Sequence, residues 1–347
     1  MKFLLPFHHD TSLIFATRFE RQLREGGHEV SLVELVEPDG KERISDRQRA
    51  TYLPDRRVLS VDIERAGQPD FYDGYNAVAV CVPVAPLRRL LRRRRYMSRK
   101  DRPRFIAFFP GMEFTPHIGM RGRRDFDAIF LNHAEHEALY RKHFMRPGQF
   151  VSWGHPYFTR PERFIDESDG RKDVYFFAQA ITPSTKRSRM HVVEVLAAIA
   201  RAHPDRNVVI KLRHLTNENQ HHVHKEEWSY EKLVDELQSG RPDNLTIDTG
   251  TTDAALAKAA YCITCTSTAA MDAISAGVAT AVYLDYPDFW QDPLNHKMRC
   301  FISGSSLSIS LLSLIELNIA NPSNTWAMQN FRNCRSFMDD FCSASEF

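Results

Sequence analysis

Three stretches in the second half of the chain place polar side chains directly after apolar runs of strand length. Phe177-Ala-Gln-Ala-Ile-Thr-Pro-Ser-Thr-Lys186 offers Gln179, Thr182 and Ser184. Ile210-Lys-Leu-Arg-His214 delivers Lys211, Arg213 and His214. Tyr261-Cys-Ile-Thr-Cys-Thr-Ser-Thr268 ends in Thr266, Ser267 and Thr268, ahead of a small-residue helix that closes at Gly277. A cation beside an imidazole suits a phosphate, because histidine can donate to its oxygens or protonate a leaving group. Hydroxyls at a helix start, with the helix's unpaired N–H groups, suit a phosphate or a carboxylate. Plainer duties compete at each place: a loop that caps the next helix, an exposed edge lysine, an ordinary Ser or Thr N-cap.

The first half carries a different set. Phe108–Gly119 follows an apolar run and presents Glu113 and His117 among Gly and Pro, residues that permit tight backbone shapes. His9 and Asp10 follow the first apolar run, and His155 lies in Gly154-His155-Pro156. A carboxylate in such a place can take a proton from a hydroxyl. Against that, Asp10 could cap the helix beginning near Thr11, Glu113 could pair with an arginine, and His155 could sit in a hinge turn. His133 and His136 lack HExxH spacing, and His221, His222 and His224 read as a polar surface loop, so no metal is expected at either. Six cysteines at irregular spacing describe no disulfide framework. Cys262 and Cys265 form a CxxC on an apolar strand without a second pair, which reads as small buried thiols.

These residues need a scaffold, and the apolar pattern supplies one. Lys2–Pro6, a helix from His9 to Gly26 and His28–Leu35 make a β–α–β opening. Ala77–Val84, Phe105–Phe109, Asp127–Leu131 and Phe150–Trp153 are further strands, apolar on both faces. A polar, Pro-containing segment follows at 159–172, and the series then restarts. Its strands are Asp173–Ala178, Asn207–Leu212, Leu245–Ile247, Tyr261–Cys265 and Ala279–Leu284; helices are expected at Ser188–Ala202, Ser229–Leu237 and Thr252–Ala260. Asn324–Phe341 reads as one terminal helix packing back. The expected plan is α/β with two Rossmann-like domains facing across a cleft: residues 1–158, a linker 159–172, residues 173–322, and a returning helix in 323–347. In open parallel sheets ligands sit beyond the carboxyl ends of the strands, where the three polar stretches of the second half would lie together.

At 347 residues with a formal net charge of +2, the chain is large enough for two cores and is no polycation. No segment approaches the about 18–20 apolar residues of a membrane span, and the start lacks a long apolar signal region, so a cytoplasmic protein is expected. Basic residues concentrate between Arg88 and Lys100. That cluster reads either as a solvated helix face or as a patch for a polyanion or the anionic inner membrane surface; no nucleic-acid-binding module accompanies it.

The order of strand-Lys-x-Arg-His and strand-Thr-Ser-Thr-Ala-Ala-Met-Asp-Ala-Ile-Ser-Ala-Gly-Val-Ala-Thr resembles the C-terminal halves of GT-B glycosyltransferases. It is most similar to bacterial enzymes that use CMP-activated donors, the capsule sialyltransferases and polysialyltransferases, with Kdo and CDP-glycerol transferases as relatives. The match spans residues 173–285; the first half matches only in architecture. In those enzymes a His-Pro motif and a Ser-Ser or Ser-Thr motif hold the cytidine monophosphate. The resemblance puts His214 in the first, although Leu215 stands where the family has proline, and Ser267-Thr268 in the second. It implies a donor side built from Gln179, Thr182, Ser184, Lys211, Arg213, His214, Thr266, Ser267 and Thr268. It implies an acceptor side with His9, His117 and His155, and Glu113 or Asp10 as base. The implied activity is inverting transfer from CMP-sialic acid, or next CMP-Kdo, to a glycan hydroxyl in bacterial surface polysaccharide synthesis, without metal or cofactor. A GT-B transferase using a UDP- or GDP-sugar, or an inactive polysaccharide-binding subunit, are the alternatives.

Overall fold

The first strand shows why the opening of the chain is covered on both sides. In β1 (Lys2–Phe7), Phe3, Leu5 and Phe7 enter one apolar cluster and Leu4 enters another, because successive side chains of a strand point to opposite faces. The computed structural model describes residues 1–40, 42–94, 102–165, 169–221 and 225–346. Its chain divides into two units, Met1–Thr159 with Gln329–Phe347, and Arg160–Met328.

The first unit continues with β2 (Glu29–Val36), β3 (Leu59–Asp62), β4 (Ala77–Val80), β5 (Arg104–Ala107), β6 (Ala128–Leu131) and β7 (Phe150–Trp153). All pair in parallel, in the order β3-β2-β1-β4-β5-β6-β7. The sequence reading missed β3, an edge strand whose residues are mostly exposed and carry no apolar run. The strands expected at Ala77–Val84 and Phe105–Phe109 stop early, leaving Cys81–Val84 and Phe108–Phe109 in loops at the carboxyl edge. Pro83 and Pro110 lie just beyond; proline has no N–H for a ladder.

The chain's end completes this unit. Phe337, Phe341 and Ala344 of the helix Cys334–Glu346 join the Phe3 cluster, with the Phe341 ring 5.6 Å from Phe3 and the Phe337 ring 5.3 Å from Phe130. The single terminal helix expected over Asn324–Phe341 is two helices, Asn324–Asn330 and Cys334–Glu346. Asn333 starts the second by accepting from the N–H groups of Arg335 (2.9 Å) and Ser336 (3.4 Å), the geometry of an N-cap. Trp326, on the first, donates its indole N–H to Phe301 O (3.0 Å) within the second unit.

The second unit contains β8 (Asp173–Phe177), β9 (Val208–Lys211), β10 (Leu245–Asp248), β11 (Ala259–Thr264) and β12 (Ala279–Val282), parallel, in the order β10-β9-β8-β11-β12. Both sheets therefore begin in the middle, add two strands on one side, then cross to the other. The reversal falls between β1 and β4 in one unit and between β8 and β11 in the other, which is where open α/β sheets hold ligands. The helix Ala269–Ser275 ends through Gly277 at φ 73°, with Gly277 N–H to Ile274 O (2.9 Å) and Val278 N–H to Ala273 O (2.8 Å), a Schellman closure. A Cβ there would meet Arg163 O at 2.5 Å, and Ile165 N–H bonds Gly277 O (2.7 Å). Residues 160–165, read from sequence as linker, thus lie within the second unit and brace this helix end.

Candidate active site

Because β9, β8 and β11 are neighbours, the three polar stretches of the second half leave the sheet side by side. Hydroxyls bridge the β8/β11 reversal. Thr264, the last residue of β11, donates to Phe177 O (3.2 Å), and Thr266 donates to Gln179 Oε1 (2.5 Å). With its oxygen engaged by that hydroxyl, Gln179 has its amide Nε2 as the group left to donate. Thr182 is buried and donates to Asp292 Oδ1 (3.3 Å); Tyr286 OH (2.8 Å) and Leu294 N–H (3.1 Å) bond the same carboxylate. Burial raises the Asp292 pKa, against the lowering effect of those hydrogen bonds. Ser184 is half-buried and precedes Thr185, which accepts from Ser188 N–H (3.1 Å) and so caps the helix Lys186–Ala202.

At the end of β9 the sequence expectation needs adjustment. Lys211 is buried, and its Nζ donates to the neighbouring Leu212 O (2.7 Å). His214 is only 3% exposed, with both ring nitrogens shielded from solvent, while Arg213 between them is exposed. The imidazole is buried at the end of β9 and is not displayed on the surface. At the third stretch Thr266 is buried, whereas Ser267 and Thr268 are half-buried. Ser267 Oγ, and not Thr268, accepts from the first turn, at Ala269 N–H (3.2 Å); Thr268 has helical backbone and no side-chain cap bond. The seven-residue helix that follows leaves hydroxyls, more than a long helix dipole, as the polar character of this corner.

One residue that the sequence reading passed over organises these loops. Arg189 is 1% exposed. Its Nε donates to Pro183 O (2.8 Å), one terminal nitrogen to Gln179 O (2.9 Å) and Ala180 O, the other to Trp228 O (2.9 Å) and Glu226 Oε1 (2.6 Å). The guanidinium lies 5.0 Å from the centre of the Tyr230 ring. A signal existed: Arg189 stands three, four and seven residues before Val192, Val193 and Leu196, on the helix face that points inward.

In the first unit His9 caps the helix Asp10–Glu25, its Nδ1 accepting from Ser12 N–H (3.4 Å), and Asp10 is the first helical residue. Asp10 is 4% exposed; its Oδ1 accepts from Thr11 N–H (2.7 Å) and lies 3.6 Å from His9 Nδ1. Glu113 is half-buried on the loop after β5, with Oε1 accepting from Thr115 N–H (3.3 Å) and hydroxyl (3.4 Å). His117 is exposed on the helix Pro116–Arg123. His155 is buried against Tyr157 and Phe158, with ring centroids 4.2 and 4.1 Å away. Its Nε2 donates to Phe109 O (3.1 Å), and burial holds its pKa well below 6.5; Nδ1 has no partner among the described residues.

Another buried guanidinium, also missed in the sequence, fastens this edge. Arg123 donates to Phe108 O (2.8 Å), Gly119 O (3.2 Å) and Cys81 O, 4.2 Å from the Phe109 ring centre. Burial brings its pKa down to about 10, despite the opposing influence of Cys81 and Glu113. Elsewhere, Cys262 and Cys265 are free and buried, and burial drives both thiol pKa values up. Among the described residues, no group of three or more His, Cys, Asp or Glu is placed to hold a metal, and no helix is long and apolar enough to cross a membrane. Arg88, Arg89, Arg92 and Arg93 line the exposed side of the helix Ala85–Arg94, with Arg89 paired to Glu64 (2.8 Å). Arg95, Arg99, Lys100, His222 and His224 lie outside the described residues.

A family model described as "Putative glycosyltransferase (DUF6716)" matches residues 9–340. No curated protein sequence matches the chain. Among solved structures, the UDP-GlcNAc 2-epimerase of Methanocaldococcus jannaschii is similar over 100% of both chains, with 12% identity and a TM-score of 0.62. That of Neisseria meningitidis bound to UDP-GlcNAc is similar over 99% of this chain and 100% of its own, with 11% identity and 0.58. Phytolacca americana UGT2, complexed with UDP-2fluoro-glucose and pterostilbene, is similar over 99% and 94%, with 9% identity and 0.52. At such identities the likeness is one of fold, two Rossmann-like units of GT-B type.

Proposed function

The chain belongs to this glycosyltransferase family, and from that premise we propose that it is a GT-B enzyme whose second unit binds a nucleotide-activated sugar and whose first activates an acceptor hydroxyl. The observation that carries the reading is the convergence of Gln179, Thr182, Thr266, Ser267 and Thr268 at the β8/β11 reversal, next to the end of β9. The Gln179 amide and the Ser267 and Thr268 hydroxyls donate to the donor's phosphate or sugar carboxylate. Lys211 and His214 lie buried behind this corner, where the lysine's positive charge acts through less solvent than at the surface.

The chemistry is an inverting displacement. The acceptor oxygen bonds to the anomeric carbon as the bond from that carbon to the phosphate oxygen breaks; the nucleotide leaves with the electron pair, and the acceptor proton goes to a carboxylate. Glu113 is assigned as that base, with Asp10 as the alternative. Glu113 sits on an accessible loop, whereas Asp10 is buried and committed to the first turn of its helix. The first donor to test is CMP-sialic acid, then CMP-Kdo. Its leaving group carries one phosphate, which a few hydroxyls and an amide can hold without a metal. A UDP-sugar is the second reading, favoured by the UDP-sugar complexes of the same fold.

The test offers CMP-sialic acid, CMP-Kdo, UDP-GlcNAc and a GDP-sugar to the wild-type chain and follows nucleotide release with chelator present. Release from one CMP-sugar, with Glu113→Gln slowed about 10²–10⁴-fold at unchanged donor affinity, is the expected result. Release from a UDP-sugar alone replaces the CMP assignment. Binding and turnover of none of them removes the reading.

A further inference from the structure

We propose that Arg189 is the positioning residue of the donor side, a single guanidinium that sets the loops after β8 and β9 in register with the hydroxyl corner after β11. The inference deepens the donor-site reading and rests on it for the ligand, though not for the mechanical link. All five N–H donors of a guanidinium have acceptors here: Pro183 O, Gln179 O, Ala180 O, Trp228 O and the Glu226 carboxylate. Three of these carbonyls belong to one loop, the one that carries Gln179, Thr182 and Ser184.

The link runs outward in two directions. Toward β11, the Gln179 main chain is held by Arg189 while its side-chain oxygen is held by Thr266. Carbonyl and amide are thereby both oriented, and Nε2 is the group left for a ligand. Toward β9, Trp228 O and the Tyr230 ring lie on Arg189, and the residue between them in sequence, Ser229, meets the His214 loop. The hydroxyl of Thr216, two residues past His214, donates to Glu231 Oε2 (2.6 Å) and lies within hydrogen-bond distance of Ser229 Oγ (2.8 Å). The three stretches at the β8, β9 and β11 ends are thus joined by hydrogen bonds and the short main-chain segments between them, Trp228–Ser229 and His214–Thr216, with Arg189 at the centre. Arg189 touches no reacting atom in this account; it acts through Gln179 and the His214 loop.

Lysine keeps the charge but has three donors on one nitrogen and no planar fork. It satisfies Glu226 and at most two carbonyls, leaving at least two buried carbonyls without a donor. The first measurement is amide hydrogen exchange of wild type and Arg189→Lys in the absence of nucleotide. The expected result is at least tenfold faster exchange over residues 178–185 and 213–217, with the β8 and β11 core unchanged. Uniform acceleration across the second unit, or no change in the 213–217 segment, overturns the proposal and leaves a merely structural arginine.

The second measurement is binding of CMP and UDP by calorimetry to wild type, Arg189→Lys, Gln179→Ala and the double variant. Arg189→Lys should weaken the nucleotide that wild type binds about tenfold, and less than threefold further once Gln179 is gone. Full additivity overturns the proposal. If wild type binds neither nucleotide, the donor reading falls by itself, and the exchange pattern still decides whether Arg189 couples the loops.

Discussion

The two units share one plan and fasten it differently. Each is a parallel sheet that reverses direction beside its first strand, and each has a buried arginine donating to main-chain carbonyls at the carboxyl edge. Arg189 reaches a carboxylate and four carbonyls; Arg123 reaches three carbonyls and an aromatic face. The buried ionisable groups of the two units differ as well. In the first unit His133 is buried with its pKa pushed down to about 3 by desolvation and by His136, and His155 lies well below its usual range. In the second unit Asp292 and Glu226 are shifted up by burial, partly offset by their hydrogen-bonding partners, Arg189 foremost for Glu226. Loop positioning in the second unit is thus completed by an ion pair, and in the first by carbonyls and an aromatic face around a buried cation whose pKa is lowered to about 10. The same architecture accepts either solution because only the loop carbonyls must be satisfied.

The strongest way to break this comparison is Arg123→Met. It leaves the carbonyls of Cys81, Phe108 and Gly119 without their donor, and the expected loss is about 3–5 kcal/mol. That loss should be confined to the first unit, as read by hydrogen exchange of β1–β7 against β8–β12. Equal destabilisation of both sets of strands would show that the arginines are not local fasteners.

Acid should separate the units next. A histidine neutral in the fold down to about 3 is protonated in the unfolded chain below 6.5, so its contribution is intact above 6.5 and lost progressively as pH falls toward 3. At pH 5 the unfolded state gains about 2 kcal/mol from His133, and His155, shifted in the same direction by burial, adds to it; both lie in the first unit. The buried carboxyl groups of the second unit work in the opposite sense, holding their protons more tightly folded than unfolded. Between pH 7 and pH 5 exchange should therefore accelerate in β1–β7 before β8–β12, and the reverse order would refute the assignment.

The smallest effect sharpens the picture. Thr266→Val removes one hydroxyl from Gln179 and should cost about 1 kcal/mol of stability. Gln179 is then free to turn its amide, so nucleotide affinity should fall several-fold while the melting temperature drops only about 2–4 °C. An unchanged affinity would remove Gln179 from the donor side.

Much of this was legible in the residues because it depends on local pattern. The apolar runs at Phe150–Trp153 and Asp173–Phe177 mark buried parallel strands, and their alternation with helices sets the α/β class. The polar residues at Gln179, Lys211 and Thr266 were visible as a group because each ends or follows such a run. β3 was not legible, since an exposed edge strand carries no apolar signature. The split of the terminal helix at Asn333 was equally hidden: the segment reads as one helical run, while the boundary between the two units falls near the end of its first helix.

Sequence alone determined the fold class, the parallel sheets and which polar loops leave the strand ends, because periodicity and chain order are properties of neighbours along the chain. Tertiary structure decided how the side chains in those loops are used. It turned His214 inward, gave the first-turn cap to Ser267, committed Asp10 to its helix and left Glu113 accessible. It also made buried fasteners of Arg123 and Arg189, which in sequence look like ordinary helix-surface charges. A guanidinium can be buried only where enough carbonyls and carboxylates from distant segments converge on it, and that convergence exists only once the chain has folded.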